Sequence, residues 1–291
     1  MLYLDGEFMP LTEGRVGVED RGFQLGDGVY EVVRIAGGKL IWLDDHLDRL
    51  RWSLGEIRMV GALRDHVLGV VIPRLLQLSG VGEGTVYVQV TRGAAPRDFP
   101  FPPETRATVL AYTRPLEPSP VDAILAGVTV HPVDDIRWAR CDIKSTNLLG
   151  AVLAKQTARD AGAQEALFVG AGRVVREGGS SNVFAVFGGE VWTHPADARI
   201  LNGITRRHIV ELAAGLGIAV VEREFTLEEL EAAEECFLTS TSRDVMPVVG
   251  VGGRPLAGGR PGPVTLALTD ALRAEIARLA GLPAPALLRR A

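Results

Sequence analysis

The amino-acid sequence predicts an α/β (α+β) protein with a small N-terminal domain and a larger C-terminal domain. Strand patterns and helix patterns are mixed along the whole chain, which favours a fold with both elements in each domain. The length of 291 residues suits one large domain or two ordinary ones. Three prolines in Arg114-Pro-Leu-Glu-Pro-Ser-Pro120 are typical of a linker. We therefore expect domains at 1–114 and 122–291, joined by a linker at 115–121.

The N-terminal part contains four predicted strands after a short hairpin. The hairpin runs from Leu2 to Pro10 and turns at Asp5-Gly6. Alternating and β-branched residues predict strands at 29–36, 39–43, 85–91 and 106–113. Residues 19–28 are too rich in glycine for a regular element, and they predict a constrained loop.

Two helices are predicted between these strands. Asp44 is expected to cap the first, in which leucines recur at helical spacing. The second runs from Leu63 to Leu78, and Pro73 inside it predicts a kink or a break. The loop at 92–103 is stiffened by prolines and is long for a plain connection, which favours a functional role.

The C-terminal part also mixes strands with helices. Strands are predicted at 127–132, 166–169, 173–176, 183–187, 219–225 and 235–240. A helix from Ile204 to Leu216 is closed by Gly217. Thr226 and Glu229 form a capping box for a short helix, and the last helix carries Leu268, Leu272, Ile276 and Leu279.

The composition excludes several classes of partner. A hydrophobic content of 47% and a charged content of 23% are typical of a soluble globular protein. The net charge of −5 gives no reason to expect nucleic acid or a membrane surface as a partner. No signal peptide or membrane-spanning run is apparent, so a cytoplasmic location is expected. Cys141 and Cys236 lack metal-ligand spacing, and the histidines form no H-x-x-x-H pattern, so no metal centre is expected.

Lys144 is the residue around which the functional hypothesis is organised. Ser145, Thr146 and Asn147 follow it as candidate N-cap residues, and an apolar helical run begins at Leu148. The lysine is therefore expected at a strand-to-helix junction, where its side chain could point into a cleft. A single lysine is usually a solvated surface residue. The hypothesis depends on other stretches that supply what a lysine-bound pyridoxal phosphate needs.

Candidate groups for the cofactor phosphate lie at one helix start and one strand end. Gly203 lets a phosphate approach the backbone, and Ile204 and Thr205 offer amides at the start of a helix. The segment Thr239-Ser240-Thr241 offers hydroxyl groups, and Arg49 offers a cation. The alternative for each is structural: an ordinary helix start and a surface arginine.

A candidate acid for the cofactor ring is Glu177, which lies in a turn rich in glycine and serine between two predicted strands. A carboxylate beside the ring nitrogen keeps the pyridinium protonated, so that the ring withdraws electrons. The structural alternative is an exposed glutamate in a turn.

Four stretches together resemble the class IV (fold-type IV) pyridoxal phosphate aminotransferases, and within them the D-amino acid transaminases. The similarity runs from about Leu2 to Val249. The stretches are Asp20-Arg-Gly-Phe-Gln-Leu-Gly-Asp-Gly-Val-Tyr30-Glu-Val-Val, Arg137-Trp-Ala-Arg-Cys-Asp-Ile-Lys144-Ser-Thr-Asn-Leu-Leu-Gly, Glu177-Gly-Gly-Ser-Ser-Asn and Leu201-Asn-Gly-Ile-Thr-Arg. This resemblance implies transamination between a D-amino acid and a 2-keto acid such as 2-oxoglutarate or pyruvate. It also implies a homodimer, with pyridoxal 5'-phosphate held between the two domains.

The resemblance also implies roles for individual residues. Lys144 corresponds to the Schiff-base lysine and proton shuttle, and Glu177 to the acid on the ring nitrogen. The expected cofactor-binding residues also include Arg49, Leu201, Gly203, Ile204, Thr205, Ser240 and Thr241. The expected substrate-binding residues are Tyr30, Val32, Arg97 and Phe99, and Arg97 would reach into the site of the partner subunit.

Phe99 departs from the family pattern, which has a histidine two residues after the arginine. A phenyl ring cannot donate a hydrogen bond to a substrate carboxylate. The substrate range is therefore open, and three sibling activities stay as alternatives. These are transamination of branched-chain L-amino acids, transamination of (R)-amines, and the aminodeoxychorismate lyase reaction.

Overall fold

The computed structural model describes residues 1–61 and 67–288 and divides the chain into two compact units. Unit 1 contains the described residues of Met1–Glu117 together with Ile143–Leu148, and unit 2 contains residues 118–142 and 149–288. Strands and helices occur in both units, which confirms the predicted α/β class. The predicted domain limits stay a prediction. They differ from the two units at 143–148, because the segment that carries Lys144 belongs to unit 1.

Unit 1 contains one antiparallel sheet. Its strands are β1 (Leu2–Leu4), β2 (Glu7–Met9), β3 (Gly28–Ala36), β4 (Lys39–Ile41), β5 (Gly84–Thr91) and β6 (Thr108–Pro115). They lie in the order β2-β1-β6-β5-β3-β4. The predicted hairpin is confirmed, since Leu2 pairs with Met9 and Leu4 with Glu7.

Three helices accompany this sheet: α1 (Arg21–Leu25), α2 (Leu43–Glu56) and α3 (Val67–Ser79). The loop predicted at 19–28 is wrong in part, because α1 lies inside it. Asp20 is the N-cap that stabilises this short helix, since its carboxylate accepts a hydrogen bond from the Gly22 amide at 2.8 Å. Gly26 ends the helix in a left-handed conformation, with φ of 68°.

The start of the first of the two longer helices in unit 1 differs from the prediction. Asp44 is not the N-cap of α2, because the helix already begins at Leu43 after Trp42. Asp44 instead lies in the first turn, where a carboxylate favours the helix dipole. The start predicted for α3 at Leu63 lies outside the described residues, and the helix continues through Pro73.

The alternation of β3 gives the unit 1 sheet two different faces. Val29, Val33 and Ile35 are fully buried and belong to the hydrophobic core of the unit. Tyr30 and Val32 point to the opposite face and are only half-buried, because successive side chains of a strand alternate. Glu31 therefore lies on the core face, between Val29 and Val33, although it is charged.

Unit 2 contains a mixed sheet of nine strands. They are β7 (Val128–Asp134), β8 (Glu165–Val169), β9 (Val175–Gly178), β10 (Asn182–Phe187), β11 (Glu190–Thr193), β12 (Val220–Glu222), β13 (Glu235–Ser240), β14 (Asp244–Val251) and β15 (Arg254–Pro255). The order is β12-β11-β10-β13-β14-β7-β8-β9, and β15 pairs with β14. The strands β11, β14 and β15 were not predicted from the sequence.

The helices of unit 2 are α4 (Val121–Ala126), α5 (Leu149–Asp160), α6 (Ile204–Gly215), α7 (Leu227–Glu231) and α8 (Pro263–Ala280). The predicted capping box of α7 is confirmed in both of its hydrogen bonds, between Thr226 and Glu229. Within the described ranges, no helix combines the length and the apolar character needed to cross a bilayer.

Candidate active site

The Lys144 segment lies beside β3. The Tyr30 amide donates to the Lys144 carbonyl at 2.9 Å, Ser145 bridges to Val29, and the Thr146 amide donates to the Gly28 carbonyl at 2.9 Å. The helix of the predicted strand-to-helix junction is confirmed, since α5 begins at Leu149, next to the expected start. The residues just before Lys144 are irregular, so the predicted strand does not lead directly into the lysine. The lysine is positioned by the edge of another strand.

This pairing brings the Lys144 amine to Tyr30. The Nζ atom lies 4.3 Å from the centre of the Tyr30 ring, at a distance typical of a cation–π contact. Tyr30 in turn stacks on Tyr87 at 5.6 Å, and Tyr87 stacks on Tyr112 at 5.1 Å. The half-exposed face of the sheet thus carries a row of tyrosines that supports the ring against Lys144.

On the core face of the same sheet, Glu31 joins two residues of α2. Its carboxylate accepts from Arg49 Nε at 2.7 Å and from Arg49 Nη2 at 2.8 Å, and it lies 2.8 Å from His46 Nδ1. His46 and Arg49 meet the same carboxylate because they are three residues apart on one side of the helix. Arg49, the predicted phosphate cation, is therefore held in a fixed orientation.

The electrostatics of this cluster favour an ionised Glu31 and a neutral His46. Burial raises the pKa of the Glu31 carboxyl, but Arg49 and His46 outweigh it and hold that pKa well below its usual value. Burial lowers the pKa of His46, and although the hydrogen bond and charge of Glu31 oppose this shift, the charges of Arg49 and Lys144 add to it and the pKa stays below its usual value. A neutral His46 can donate from Nδ1 to the carboxylate.

Arg97 and Phe99 lie on the loop that follows β5. Both side chains are exposed, and the Arg97 guanidinium lies 5.6 Å from the centre of the Phe99 ring. Asp98, between them, accepts a hydrogen bond from the Phe99 amide at 2.8 Å. The Asp98 carboxylate thus points to the backbone amide of the next residue.

In unit 2, Glu177 is buried in β9 and does not lie in an exposed turn. Its Oε1 accepts from Arg137 at 2.5 Å, and its Oε2 accepts from the Leu201 amide at 3.1 Å and from Asn182 Nδ2 at 3.2 Å. Asn182 also donates to the Leu201 carbonyl at 2.8 Å. The predicted neighbours Glu177 and Leu201 are therefore brought together.

Glu177 fits the requirement for a partner of a pyridine nitrogen. Burial raises the pKa of its carboxyl to about 7, although Arg137 opposes this shift. A carboxylate has about four acceptor positions, and three donors use three of them. One position is left for a further donor, and a cation there would favour the ionised form.

The start of α6 fits the requirement for a phosphate site. Gly203 precedes the helix, and its first turn contains Ile204 and Thr205 and has no acidic side chain. The first amides of a helix have no acceptor within the helix, so they can donate to an anion. A Cβ atom on Gly203 would lie 2.2 Å from Asn182 Oδ1. Glycine is thus required here by the same asparagine that contacts Glu177.

Replacing Gly203 by alanine is expected to weaken cofactor binding by about tenfold or more. The added methyl group displaces Asn182, which holds Leu201 and Glu177, and it moves the amides at the start of α6. Titration of the cofactor-free variant with pyridoxal phosphate measures the effect. Gly215→Ala is the matched control in the same helix, because a Cβ atom there meets nothing within 4 Å. Equal affinities of the two variants would contradict the prediction.

The hydroxyl groups at the end of β13 are divided between two faces. Thr239 is buried, pairs in register with Asn182, and its Oγ1 has no hydrogen-bond partner among the described residues. Ser240 points to the opposite face, where it lines a cavity of about 250 Å³ together with Leu238 and Met246. Thr241 follows the strand and is half-buried. An orphan buried hydroxyl beside Asn182 fits a site that accepts a ligand.

A group of one histidine and two carboxylates elsewhere in unit 2 forms part of an ion-pair network. His194, Asp197 and Glu224 offer ligand atoms within 4.8 Å of one another. Arg176 and Arg199 donate to Glu224 at 2.8 Å and 2.6 Å. These guanidinium groups already neutralise the cluster, and the expected lack of a metal centre stays a prediction.

Several residues that hold the site together have no functional role in the sequence-based hypothesis. They are Glu31, His46, Tyr87, Arg137 and Asn182. Glu31, Arg137 and Asn182 stand inside the stretches that carry the family resemblance, so this signal could have indicated them. His46 and Tyr87 lie outside those stretches, and their contribution becomes visible only once the strand face and the helix are placed together.

Comparisons with known proteins show which family the chain resembles. The chain is 41% identical to the D-alanine aminotransferase of Staphylococcus haemolyticus over 92% of its own length and 95% of that protein. A T.th. branched-chain amino acid aminotransferase, solved with pyridoxamine 5'-phosphate, is 26% identical, with a TM-score of 0.88 over 96% of this chain and 94% of that one. The 4-amino-4-deoxychorismate lyase of Pseudomonas aeruginosa is also 26% identical, with a TM-score of 0.82 over 94% and 98%.

The family match covers most of the chain. The family described as Amino-transferase class IV matches residues 28–251, a range that includes Lys144, Glu177 and the start of α6. The solved relatives confirm the fold that the resemblance implied. This chain therefore belongs to the class IV aminotransferase family.

Proposed function

We propose that this protein is a pyridoxal phosphate-dependent transaminase that acts on a D-amino acid, such as D-alanine, and a 2-keto acid, such as 2-oxoglutarate or pyruvate. The observation that carries the proposal is the 41% identity with D-alanine aminotransferases over nearly the whole chain. The pyridoxamine phosphate bound to the branched-chain relative supports the cofactor. The buried Glu177 and the glycine before α6 fit it.

The proposed cofactor site uses the residues that the family resemblance implies. Lys144 would bind the cofactor through its side-chain nitrogen, and Arg49 would neutralise the phosphate. The amides of Ile204 and Thr205 and the hydroxyl of Thr241 would donate to the phosphate, and Ser240 and Gly203 would flank it. Leu201 would pack against the ring. Glu177 would accept a hydrogen bond from the ring nitrogen at its remaining acceptor position.

The proposed chemistry depends on one proton carried by Lys144. The bound cofactor supplies an electron-withdrawing ring that stabilises negative charge at the substrate α-carbon. Once the amino group of the substrate has displaced it from the cofactor, Lys144 Nζ would be a free amine. It would then accept the α-proton and return it to the cofactor carbon, acting as base and acid in turn. Tyr30 restricts the position of Nζ through its ring. Glu177 keeps the ring nitrogen protonated, because a buried carboxylate there favours the cation.

The proposed substrate site uses Tyr30, Val32, Arg97 and Phe99, with Arg97 acting in the partner subunit of a homodimer. The exposure of the loop supports this assignment. The side chains of Phe99 and Phe101 on this loop are 76% and 50% exposed, and the Arg97 guanidinium lies near the Phe99 ring. A second copy of the chain would cover such apolar groups. The two free cysteines, Cys141 and Cys236, are consistent with the proposed cytoplasmic location.

The visible spectrum of the holoenzyme tests the proposed function, with D-alanine and L-alanine added separately. We expect D-alanine alone to remove the long-wavelength band of the lysine-bound cofactor and to yield pyridoxamine phosphate and pyruvate. Conversion by a branched-chain L-amino acid or an (R)-amine, and not by D-alanine, would move the function to a sibling transaminase. Pyruvate release from aminodeoxychorismate without a keto acid acceptor would indicate the lyase. A preparation saturated with cofactor that shows no such band would contradict the role of Lys144.

A further inference from the structure

Arg21 is a buried arginine that the proposed reaction does not use. It begins α1 and is 3% exposed. Its guanidinium contacts two kinds of group: Nε donates to Asp27 at 2.8 Å, whereas Nη1 and Nη2 donate to the carbonyls of Asp98 and Phe99 at 2.6 Å and 3.3 Å. A buried cation that binds two successive carbonyls of a distant loop determines the path of that loop.

The loop needs such an anchor because its own backbone offers few hydrogen bonds. Pro96, Pro100, Pro102 and Pro103 lack amide hydrogens, so this segment cannot pair as a strand. The guanidinium fork of Arg21 is planar and pre-organised, which suits two neighbouring acceptors better than the ammonium group of a lysine does. The tip of the loop thus depends on a side chain from α1.

The carboxylate of Asp27 fixes the position of Arg21. It accepts the hydrogen bond from Arg21 Nε and two further hydrogen bonds from Arg92, from Nε at 2.7 Å and from Nη2 at 3.0 Å. Arg92 lies at the base of the same loop, donates to the Ile57 carbonyl at 2.7 Å and stacks on the Phe101 ring at 3.8 Å. The base and the tip of the loop are therefore connected through one carboxylate.

We propose that Arg21 is a positioning residue for Arg97. By holding the carbonyls of Asp98 and Phe99, it fixes the direction in which the Arg97 side chain leaves the loop, and so it sets the affinity for the substrate carboxylate without contact to the substrate. This inference rests on the proposed function, in which Arg97 binds that carboxylate. With Phe99 in place of a hydrogen-bond donor, the carboxylate depends more strongly on a correctly placed Arg97.

The test uses the holoenzymes of Arg21→Lys, Arg97→Met and the double variant in the half-reaction with D-alanine. Arg21→Lys keeps a cation beside Asp27 but loses the planar fork. We expect each single variant to raise the D-alanine KM about tenfold to hundredfold, which is the cost of losing a charge-assisted hydrogen bond. The maximal rate should stay within about threefold, because Lys144 and Glu177 are unchanged. The double variant should be no worse than Arg97→Met, because Arg21 acts through Arg97.

Two outcomes overturn the inference in distinguishable ways. An unchanged KM in Arg97→Met would remove the proposed carboxylate role of Arg97, and the role of Arg21 with it. If Arg97→Met raises the KM but Arg21→Lys leaves it unchanged, only the positioning role of Arg21 is rejected. The same follows if the two increases in KM multiply in the double variant. Arg15→Lys is the matched control, because Arg15 also donates to two loop carbonyls in unit 1 but is exposed. If Arg21→Lys does not fold, Asp27→Asn weakens the same anchor and should raise KM without adding to Arg97→Met.

Discussion

Replacing Lys144 by alanine is expected to abolish transamination, with a loss of turnover of at least about 10⁴-fold. Removal of a single general acid–base group costs up to this factor, and Lys144 is proposed also to bind the cofactor covalently. The amine lies 4.3 Å from the Tyr30 ring centre, so an exogenous amine would not occupy the same position unaided. The long-wavelength band of the bound cofactor should disappear together with D-alanine turnover.

The other lysines of the chain supply the control. Lys39 is exposed in β4, and Lys155 is paired with Glu165 at 3.1 Å and with Ser180 at 2.9 Å. Lys39→Ala should keep the wild-type band and rate. Reduction of the wild-type holoenzyme with borohydride, followed by peptide mapping, should place the cofactor on Lys144 and not on Lys155. A Lys144→Ala variant with substantial turnover, or a label on another lysine, would contradict the assignment.

Elements with one dominant local signal could be predicted from the sequence. Strand β13 runs from Glu235 to Ser240 as its apolar residues predict, and the capping box of α7 is present in both hydrogen bonds. Strand β3 also follows its alternation. In each case the residues that determine the element are neighbours in the chain.

Elements determined by distant contacts could not be predicted in this way. The glycines between Asp20 and Gly28 indicate a loop by composition, yet Gly22 lies inside α1 and Gly26 ends this helix. A Cβ atom on Gly22 would lie 2.2 Å from the Thr91 side chain, so this glycine is required by packing against β5. The sequence shows both residues, but it does not show that Thr91 packs against Gly22.

The candidate site shows the same limit. The resemblance indicated Lys144, Glu177 and the helix start at Gly203, because each lies in a recognisable local stretch. It did not indicate that Lys144 would be positioned by the edge of β3, or that Arg137 would meet Glu177. Two distant charged residues meet only if they lie on strand faces or helix sides that point towards each other. How strands and helices face each other is decided by the tertiary structure.

The cluster of Glu31, His46 and Arg49 is the clearest example of contacts that depend on tertiary structure. Replacing Glu31 by alanine is expected to lower the free energy of unfolding of the cofactor-free protein by about 3–5 kcal/mol. The variant leaves Arg49 without its bidentate carboxylate and His46 without the acceptor of its Nδ1 hydrogen, both next to the core of unit 1. Breaking a buried pair at one partner is costly because the other charge stays desolvated. Affinity for pyridoxal phosphate should fall as well, because Glu31 orients the proposed phosphate cation.

The control is an exposed pair on the same helix. Asp48 and Arg51 form an ion pair in α2 with both side chains largely in water, so Asp48→Ala should cost about 1 kcal/mol or less. Urea unfolding of both variants at neutral pH measures the difference. Because the pKa of Glu31 is lowered in the folded protein, its contribution is present above the ordinary value of 4.5 and is lost as the pH falls further. The gap between wild type and Glu31→Ala should therefore narrow below pH 4.5. A gap as small as that of Asp48→Ala at neutral pH would show that the buried cluster contributes no more to stability than a surface pair.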